Sequence, residues 1–228
     1  MTTKGSRIFV SSTCYDLLDL RAEVEQHLRE MGLAPMMSDR PTSEFEVSGY
    51  KDSIETCLVN VRKCDGFVCI LSQRYGPSLK KRGFEDFSAT HLEYLEAKKE
   101  GKSIWMFVRD RTAGEYSTWS KHGKSGGEHP KFEWVRESNE KLFDFIDEHK
   151  TPVAGSPDSN WCDEFRDSVE LKSQLSKRLK LFSGPAVLRR LLEQGLIPTI
   201  RITVLQKEGR ESGSVYEGGK CNAAGNGW

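Results

Sequence analysis

The sequence has neither an excess of charge of one sign nor a long hydrophobic run. Lysine plus arginine number 34 and aspartate plus glutamate number 34 among 228 residues, so the formal net charge is zero. A neutral chain does not have the basic excess typical of nucleic-acid-binding domains. No apolar stretch approaches the ~18 residues of a membrane helix, and the opening residues 1–6 lack the apolar core of a signal peptide. We therefore expect a cytoplasmic protein without membrane or nucleic-acid partners.

Paired metal-binding cysteines are also missing. The chain has six cysteines, but no two form a CxxC pair and no histidine cluster accompanies them. This spacing disfavours a zinc site, and we predict no metal site. Cys57, Cys64 and Cys69 lie inside apolar patterns, which indicates small buried core residues of a reducing cytosol rather than disulfide partners.

The glycine-rich loop GxGxxG does not follow the first predicted strand. That loop holds the pyrophosphate of a bound dinucleotide in dehydrogenases. Its absence disfavours hydride transfer with a resident nicotinamide cofactor. We predict no cofactor, and a nucleotide at this protein would be a substrate.

Strands and helices alternate over the first 108 residues. Continuous apolar runs predict strands at 7–12, 33–37, 66–71 and 103–108. Between them, apolar residues at helical spacing predict helices over 17–31, around 54–61, and over 88–100. This β-α-β-α-β-α-β pattern is typical of a parallel sheet covered by helices on both faces. The fold class is therefore α/β, with three layers and additional C-terminal helices.

The pattern is less regular after residue 108. We predict an α/β domain over 1–182 whose core spans 6–110, a C-terminal helix and strand extension over 183–206, and a glycine-rich tail or linker over 207–228. The finer elements, in chain order, are a long loop or insertion at 110–131, a helix at 132–150, a short strand at 152–154, a helix at 163–182, a short helix at 185–194 and a strand at 199–204.

Candidate site residues follow the first and third strands, because open parallel sheets bind ligands outside the carboxyl ends of their strands. Ser11, Ser12 and Thr13 follow the first strand, and Tyr75 and Gly76 follow the third. Hydroxyl and backbone N–H groups suit a phosphate or ribose, an aromatic ring can stack on a base, and glycine permits close backbone approach. The loops after the second and third strands exceed the ~2–6 residues that are usual there, which also indicates a site at this edge.

The helix after the third strand contains further candidates. Ser88 is its predicted N-cap and a weaker candidate for substrate binding, and Glu93 lies in its second turn. Spacing alone directs Leu92 and Leu95 to the core and favours a solvent-exposed Glu93. His91 is predicted to be structural or exposed.

Two charged residues near the first helix have structural interpretations. Asp16 is predicted to cap that helix, and Arg21 to form a structural ion pair.

Three ordered blocks between residue 6 and about residue 110 resemble a bacterial TIR-like family of unknown function. The first is FVSST followed two residues later by DL, the second is CD followed by RYG, and the third is SxTxxEY followed by A and GK. In this sequence they comprise Phe9–Thr13 with Asp16 and Leu17, Cys64–Asp65 with Arg74–Gly76, and Ser88, Thr90, Glu93 and Tyr94 with Ala97, Gly101 and Lys102.

The resemblance implies a flavodoxin-like fold and the cleavage of an N-glycosidic bond. The family is similar to TIR domains and to nucleoside 2-deoxyribosyltransferases, which share a glutamate acting on an N-glycosidic bond. By this resemblance Glu93 is the catalytic residue, and the substrate is NAD or a related nucleotide. It further implies an effector in anti-phage defence that becomes active on oligomerisation, with a possible further domain or protein partner.

Two alternatives remain open from the sequence. One is a TIR-like module that binds a signal nucleotide or a protein, or self-associates, without catalysis. The other is a nucleoside deoxyribosyltransferase, which needs no phosphate-binding groups near Ser11. An enzyme requires Glu93, whereas a binding module does not.

Overall fold

The computed structural model describes residues 5–14, 16–84, 86–122, 131–135, 139–151, 160–183, 199–205 and 211–217. Within these segments no helix is both long and apolar enough to span a bilayer.

A five-stranded parallel sheet forms the centre of the protein. Its strands are β1 (Arg7–Ser12), β2 (Ala34–Met36), β3 (Gly66–Leu71), β4 (Ser103–Arg109) and β5 (Cys162–Phe165). The strands lie in the order β2-β1-β3-β4-β5, and every neighbouring pair is parallel. This is the flavodoxin-like order, whose direction of winding reverses between β1 and β3. The predicted fold class is confirmed.

Helices cover both faces of the sheet. They are α1 (Leu18–Glu30), α2 (Ser53–Lys63), α3 (Ala89–Lys99), α4 (Asp110–His122), α5 (Asn139–Lys150) and α6 (Ser168–Arg178). A single 3₁₀ turn, Lys80–Arg82, lies in the loop between β3 and α3.

Side chains alternate between the two faces of each strand, so the sheet has a hydrophobic core on each face. In β3, Phe67 and Cys69 pack on the face covered by residues of α2, α3, α4 and α5. Val68 and Ile70 pack on the opposite face, against α1 and α6. Because every residue of β3 is buried, the strand has the continuous apolar sequence that made it predictable.

Helix starts agree with the sequence in part. Ser88 caps α3 by accepting the His91 backbone N–H, as predicted. Asp16 does not cap α1, whose start has no side-chain cap. Its carboxylate instead accepts the hydroxyl of Thr13 at 2.6 Å, which ties the loop after β1 to the start of α1.

The predicted loop at 110–131 is wrong over its first half, where the chain forms α4. Thr112, Ala113, Tyr116 and Trp119 are buried at helical spacing. Gly114 in the middle of this segment, and the glycines that follow it, concealed the helical pattern. The packed face of α4 outweighs the low helix propensity of that one glycine.

The predicted helix at 132–150 is wrong over residues 132–135, which are not helical, and is confirmed over α5. Glu115 of α4 accepts the backbone N–H groups of Glu133, Trp134 and Val135 at 2.9, 2.8 and 2.8 Å. A carboxylate that satisfies three consecutive N–H groups competes directly with the helical hydrogen-bond pattern.

The predicted helix at 163–182 is also wrong at its start. Residues 162–165 form β5 and pair with Met106–Arg109 of β4. The helix α6 starts at Ser168, where Asp167 caps it by accepting the Glu170 N–H at 2.9 Å. Pairing at the sheet edge therefore overrides the local helical pattern.

The C-terminal segments are described only in part. The predicted strand is confirmed as β6 (Thr199–Leu205), which pairs antiparallel with β7 (Glu211–Glu217). Part of the segment predicted as a tail is therefore a strand. The predicted strand at 152–154 and the helix at 185–194 lie outside the described residues, and the division into domains stays a prediction.

Candidate functional site

A cavity of about 1180 Å³ opens at the carboxyl ends of β1 and β3. It is lined by the end of β1, the loops after β2 and β3, and the first turns of α2 and α3. This is the position where the strand order reverses, and where flavodoxin-like folds place their ligands. Six of the seven predicted site residues line the cavity, namely Ser12, Thr13, Tyr75, Gly76, Ser88 and Glu93.

Glu93 is the only acidic residue among the described residues that line this cavity. Its exposed fraction is 7%, so it lies in the cavity wall with little contact with water. The hydroxyl of Ser11 donates to Glu93 Oε2, and the thiol of Cys57 also hydrogen-bonds to this carboxylate. Ser11, the seventh predicted residue, thus contacts the carboxylate rather than the cavity.

Burial raises the pKa of Glu93, and hydrogen bonds from Ser11 and Cys57 and the charge of Arg21 oppose the rise without cancelling it. A buried carboxylate of this kind is costly to ionise and is stabilised by a positive charge placed against it. The site is therefore suited to a reacting group that becomes cationic.

The prediction of a solvent-exposed Glu93 is wrong. Leu95 packs against the hydrophobic core as predicted, but Leu92 belongs to neither core cluster. Both leucines are half-buried, whereas His91, Glu93 and Tyr94 are buried. Helix α3 contacts β1, β3, β4 and α2. Because it is enclosed on several sides and borders a cavity, its polar residues are buried and no apolar stripe indicates its orientation.

Arg21 organises the neighbouring wall. It is 1% exposed, and its Nε donates to Asp39 Oδ1 at 3.0 Å. Its Nη1 donates to the Ser12 hydroxyl at 2.7 Å and to the Val10 carbonyl at 3.3 Å. The structural ion pair predicted for Arg21 is confirmed. It joins the end of β1 to the loop after β2, and it fixes the Ser12 hydroxyl at the cavity.

Tyr75, Gly76 and Ser88 form the part of the wall supplied by the loop between β3 and α3. Gly76 has a φ of +93°, and a Cβ added there would lie 3.3 Å from the Ser88 Cβ. Both the conformation and the close approach favour glycine. Tyr75 is buried, and its hydroxyl lies 2.7 Å from His91 Nδ1.

The sequence interpretation missed three contributors to the site. Lys51 and Arg74 line the cavity together with Arg21 and give it a surplus of positive charge. Cys57 was assigned to the core, and it is buried there, yet its thiol also contacts Glu93. Arg74 belongs to the RYG block but was assigned no role, and Lys51 carries no local signal because single basic residues in loops are common on any surface.

Three of the cysteines are buried in the protein interior. Burial raises the pKa of the Cys57 and Cys69 thiols well above their usual value, so both remain protonated. Cys57, Cys64 and Cys69 are buried and free, as predicted. In the part of the chain that the structure describes, no three histidine, cysteine or acidic residues are placed to hold a metal ion.

Comparisons with known proteins identify a family and include a distant solved structure. The structure of a CMP N-glycosidase, BcmB, from Clostridium botulinum aligns with a TM-score of 0.41 and 13% identity, covering 76% of this chain and 100% of that one. No curated protein matches significantly. The model of the family described as domain of unknown function DUF4062 matches residues 7–180, and the chain therefore belongs to the DUF4062 family.

Proposed function

We propose that this protein cleaves the N-glycosidic bond of NAD or a related nucleotide, with Glu93 as the catalytic carboxylate. The observation on which the proposal depends is a single acidic side chain among the described residues that line a large cavity, whose other charged lining residues are basic. Breaking the bond between C1′ and the base leaves positive charge on the sugar while the bonding electron pair departs with the base. A carboxylate beside C1′ stabilises that charge or attacks it to form a covalent intermediate that water then hydrolyses.

The charges of the cavity support a substrate that carries phosphate. Arg21, Lys51 and Arg74 line it, and Glu93 supplies the only negative charge among the described lining residues. We assign the side chains of Lys51 and Arg74, which line the cavity from the loops after β2 and β3, to phosphate. The hydroxyls of Ser12 and Thr13 are assigned to ribose or phosphate, and Tyr75, Gly76 and Ser88 to the side of the cavity that holds the base. The cavity volume of about 1180 Å³ exceeds the ~300–1,000 Å³ that is usual for small-molecule pockets. The cavity is therefore large enough for a dinucleotide.

The resemblance to TIR domains adds a biological setting to the proposal. In that setting the protein is an effector of anti-phage defence that acts on its nucleotide after oligomerisation. This setting predicts that phage infection depletes the nucleotide in the bacterium. Phage-infected bacteria that carry the intact protein should lose the nucleotide, whereas bacteria with Glu93→Gln should keep it and form plaques normally.

Base release by purified protein tests the proposed chemistry. Concentrated wild type is incubated with NAD, NADP, CMP and a deoxynucleoside, and free base is measured by chromatography. Glu93→Gln should reduce release by at least about 100-fold, the effect of losing an electrostatic stabiliser at a reacting centre. Glu96→Gln is the matched control. Glu96 lies one turn away on α3, is also buried and pairs with Arg62 outside the cavity.

Three outcomes contradict the proposal in different ways. Equal losses in Glu93→Gln and Glu96→Gln would show a general effect on α3 rather than catalysis by Glu93. Release from the deoxynucleoside alone would indicate a deoxyribosyltransferase. Binding of nucleotides by calorimetry without any release, at protein concentrations that give oligomers, would indicate a binding module.

A further inference from the structure

A chain of hydrogen bonds leads from the cavity wall toward the protein surface. The Tyr75 hydroxyl lies 2.7 Å from His91 Nδ1, and His91 Nε2 lies 3.0 Å from Glu148 Oε2. Tyr75 lines the cavity. The Glu148 side chain is 34% exposed and also pairs with Lys98 at 3.1 Å. The three residues thus connect the cavity to a carboxylate that water reaches.

The middle of this chain is rigidly held. His91 is 4% exposed, and its ring stacks on Phe145 with centroids 4.0 Å apart. Its backbone N–H donates to the Ser88 hydroxyl at 3.3 Å. Since packing fixes the ring, both of its nitrogens stay aligned with Tyr75 and Glu148.

The two ends of this chain of hydrogen bonds differ in protonation. Hydrogen bonding to His91 and to Lys98 lowers the pKa of Glu148 despite partial burial, so it is ionised at neutral pH. Burial raises the pKa of Tyr75, so its hydroxyl keeps its proton. The carboxylate at Nε2 orients the imidazole so that Nδ1 faces the tyrosine oxygen.

We propose that Tyr75, His91 and Glu148 form a proton relay that protonates the departing base, an inference that rests on the proposed function. As the bond from C1′ to the base breaks, its electron pair moves to the base nitrogen. Tyr75 gives its hydroxyl proton to the base, and His91 Nδ1–H restores that proton. Water adds to C1′ and loses a proton to Glu93. Exchange with solvent at Glu148 and in the cavity returns His91 and Glu93 to their starting states.

The relay defines the class of substrate. Nicotinamide is bonded to the sugar as a cation and leaves as a neutral molecule, so it needs no proton. A pyrimidine or purine without that charge leaves as an anion unless it is protonated, and general acid catalysis there contributes about 10²–10⁴-fold. Within the proposed class of NAD and related nucleotides, the relay therefore adds most to cleavage of those with an uncharged base, whereas NAD is cleaved without its help.

Two matched mononucleotides separate this role from a structural one. CMP and nicotinamide mononucleotide share a ribose 5′-phosphate and differ in the charge of the base. Tyr75→Phe and His91→Gln should lower kcat for CMP by at least about 100-fold, and should leave nicotinamide mononucleotide within about threefold of wild type. KM should change little for either substrate.

The chain offers a closely matched control pair. Tyr94 is a buried residue of α3, and its hydroxyl lies 3.3 Å from His149 Nδ1. Neither Tyr94 nor His149 lines the cavity. Tyr94→Phe and His149→Gln repeat the same chemical changes away from the site. They should leave kcat for both mononucleotides near wild type, with circular dichroism confirming that all four variants are folded.

The possible results distinguish failure of the relay from failure of the proposed function. If wild type releases base from neither mononucleotide nor from NAD, the proposed function fails and the relay fails with it. If wild type cleaves nicotinamide mononucleotide but not CMP, or if Tyr75→Phe slows both equally, the relay alone is overturned. If CMP alone is cleaved, a loss in Tyr75→Phe and His91→Gln that the control pair does not share supports the relay.

Discussion

Replacing Arg21 by methionine should destabilise the protein by about 3 kcal/mol, because breaking a buried ion pair costs about 3–5 kcal/mol. Arg21 is 1% exposed and donates to Asp39, Ser12 and the Val10 carbonyl. The lower end of the range applies since the Asp39 side chain is 16% exposed and keeps Arg40 at 3.4 Å. For a protein of this length, that loss corresponds to a fall in Tm of roughly 6–12 °C.

The pH dependence of the same variant follows from Asp39. Burial raises the pKa of Asp39, but hydrogen bonding and charge from Arg21 outweigh it and hold the pKa below the ordinary value of 3.8. A carboxyl with a lowered pKa contributes stability above its ordinary pKa, and this contribution is lost as pH falls through the folded-state pKa. The difference between wild type and Arg21→Met should therefore be largest near neutral pH and should shrink below about pH 4.

Urea unfolding at several pH values, followed by tryptophan fluorescence, measures this difference. Arg29→Met is the control, since Arg29 lies on the same helix and pairs with Glu25 while its side chain is 41% exposed. Its loss should cost no more than about 1 kcal/mol. In the double variant Arg21→Met/Asp39→Leu, no buried charge lacks a partner, so its cost should be less than the sum of the two single changes. A cost for Arg21→Met equal to that of Arg29→Met, or unchanged between pH 3 and pH 7, would refute the reasoning.

Three further predictions concern the site and its support. Ser11→Ala removes a hydrogen bond that lowers the pKa of Glu93; because the ionised form is the active one, the acid limb of kcat/KM should move to higher pH, and a shift to lower pH would contradict this. Gly76→Ala should lower the free energy of unfolding, measured by chemical denaturation, by about 1–2 kcal/mol because of the φ of +93° at Gly76. Gly114→Ala in α4 has open space around the added Cβ and should raise that free energy by about 0.5–1 kcal/mol. Glu115→Ala leaves three backbone N–H groups without their acceptor and should lower the free energy of unfolding by about 2 kcal/mol. Its Tm should therefore fall further than that of Glu115→Gln; equal falls in Tm would show that the hydrogen bonds contribute little.

The strands and the first three helices were predictable because each is encoded locally. A run such as Phe67–Leu71 is apolar at every position since both faces of a parallel sheet are covered. Positions that depend on distant partners were not. Cys162–Phe165 forms a strand because β4 offers an edge for pairing, and residues 131–135 are kept out of α5 by Glu115 of α4.

The resemblance brought Glu93 to attention, whereas spacing directed it to solvent. The buried carboxylate is hydrogen-bonded by Ser11, which is 82 positions away, and by Cys57. His91 likewise reads as an ordinary helical histidine until the fold places Tyr75 and Glu148 on its two nitrogens. Neither environment exists at the level of a single helix.

The sequence by itself determined the α/β class, the parallel strands and the edge of the sheet where a site would lie. These depend on hydrophobic periodicity and on the rule that the carboxyl ends of parallel strands share one edge. Only the tertiary structure decided which side chains are buried at that edge, which are paired, and which line the cavity. Desolvation and hydrogen bonding are set by the groups that folding brings within a few ångströms, and for Glu93 and His91 those groups come from distant segments of the chain.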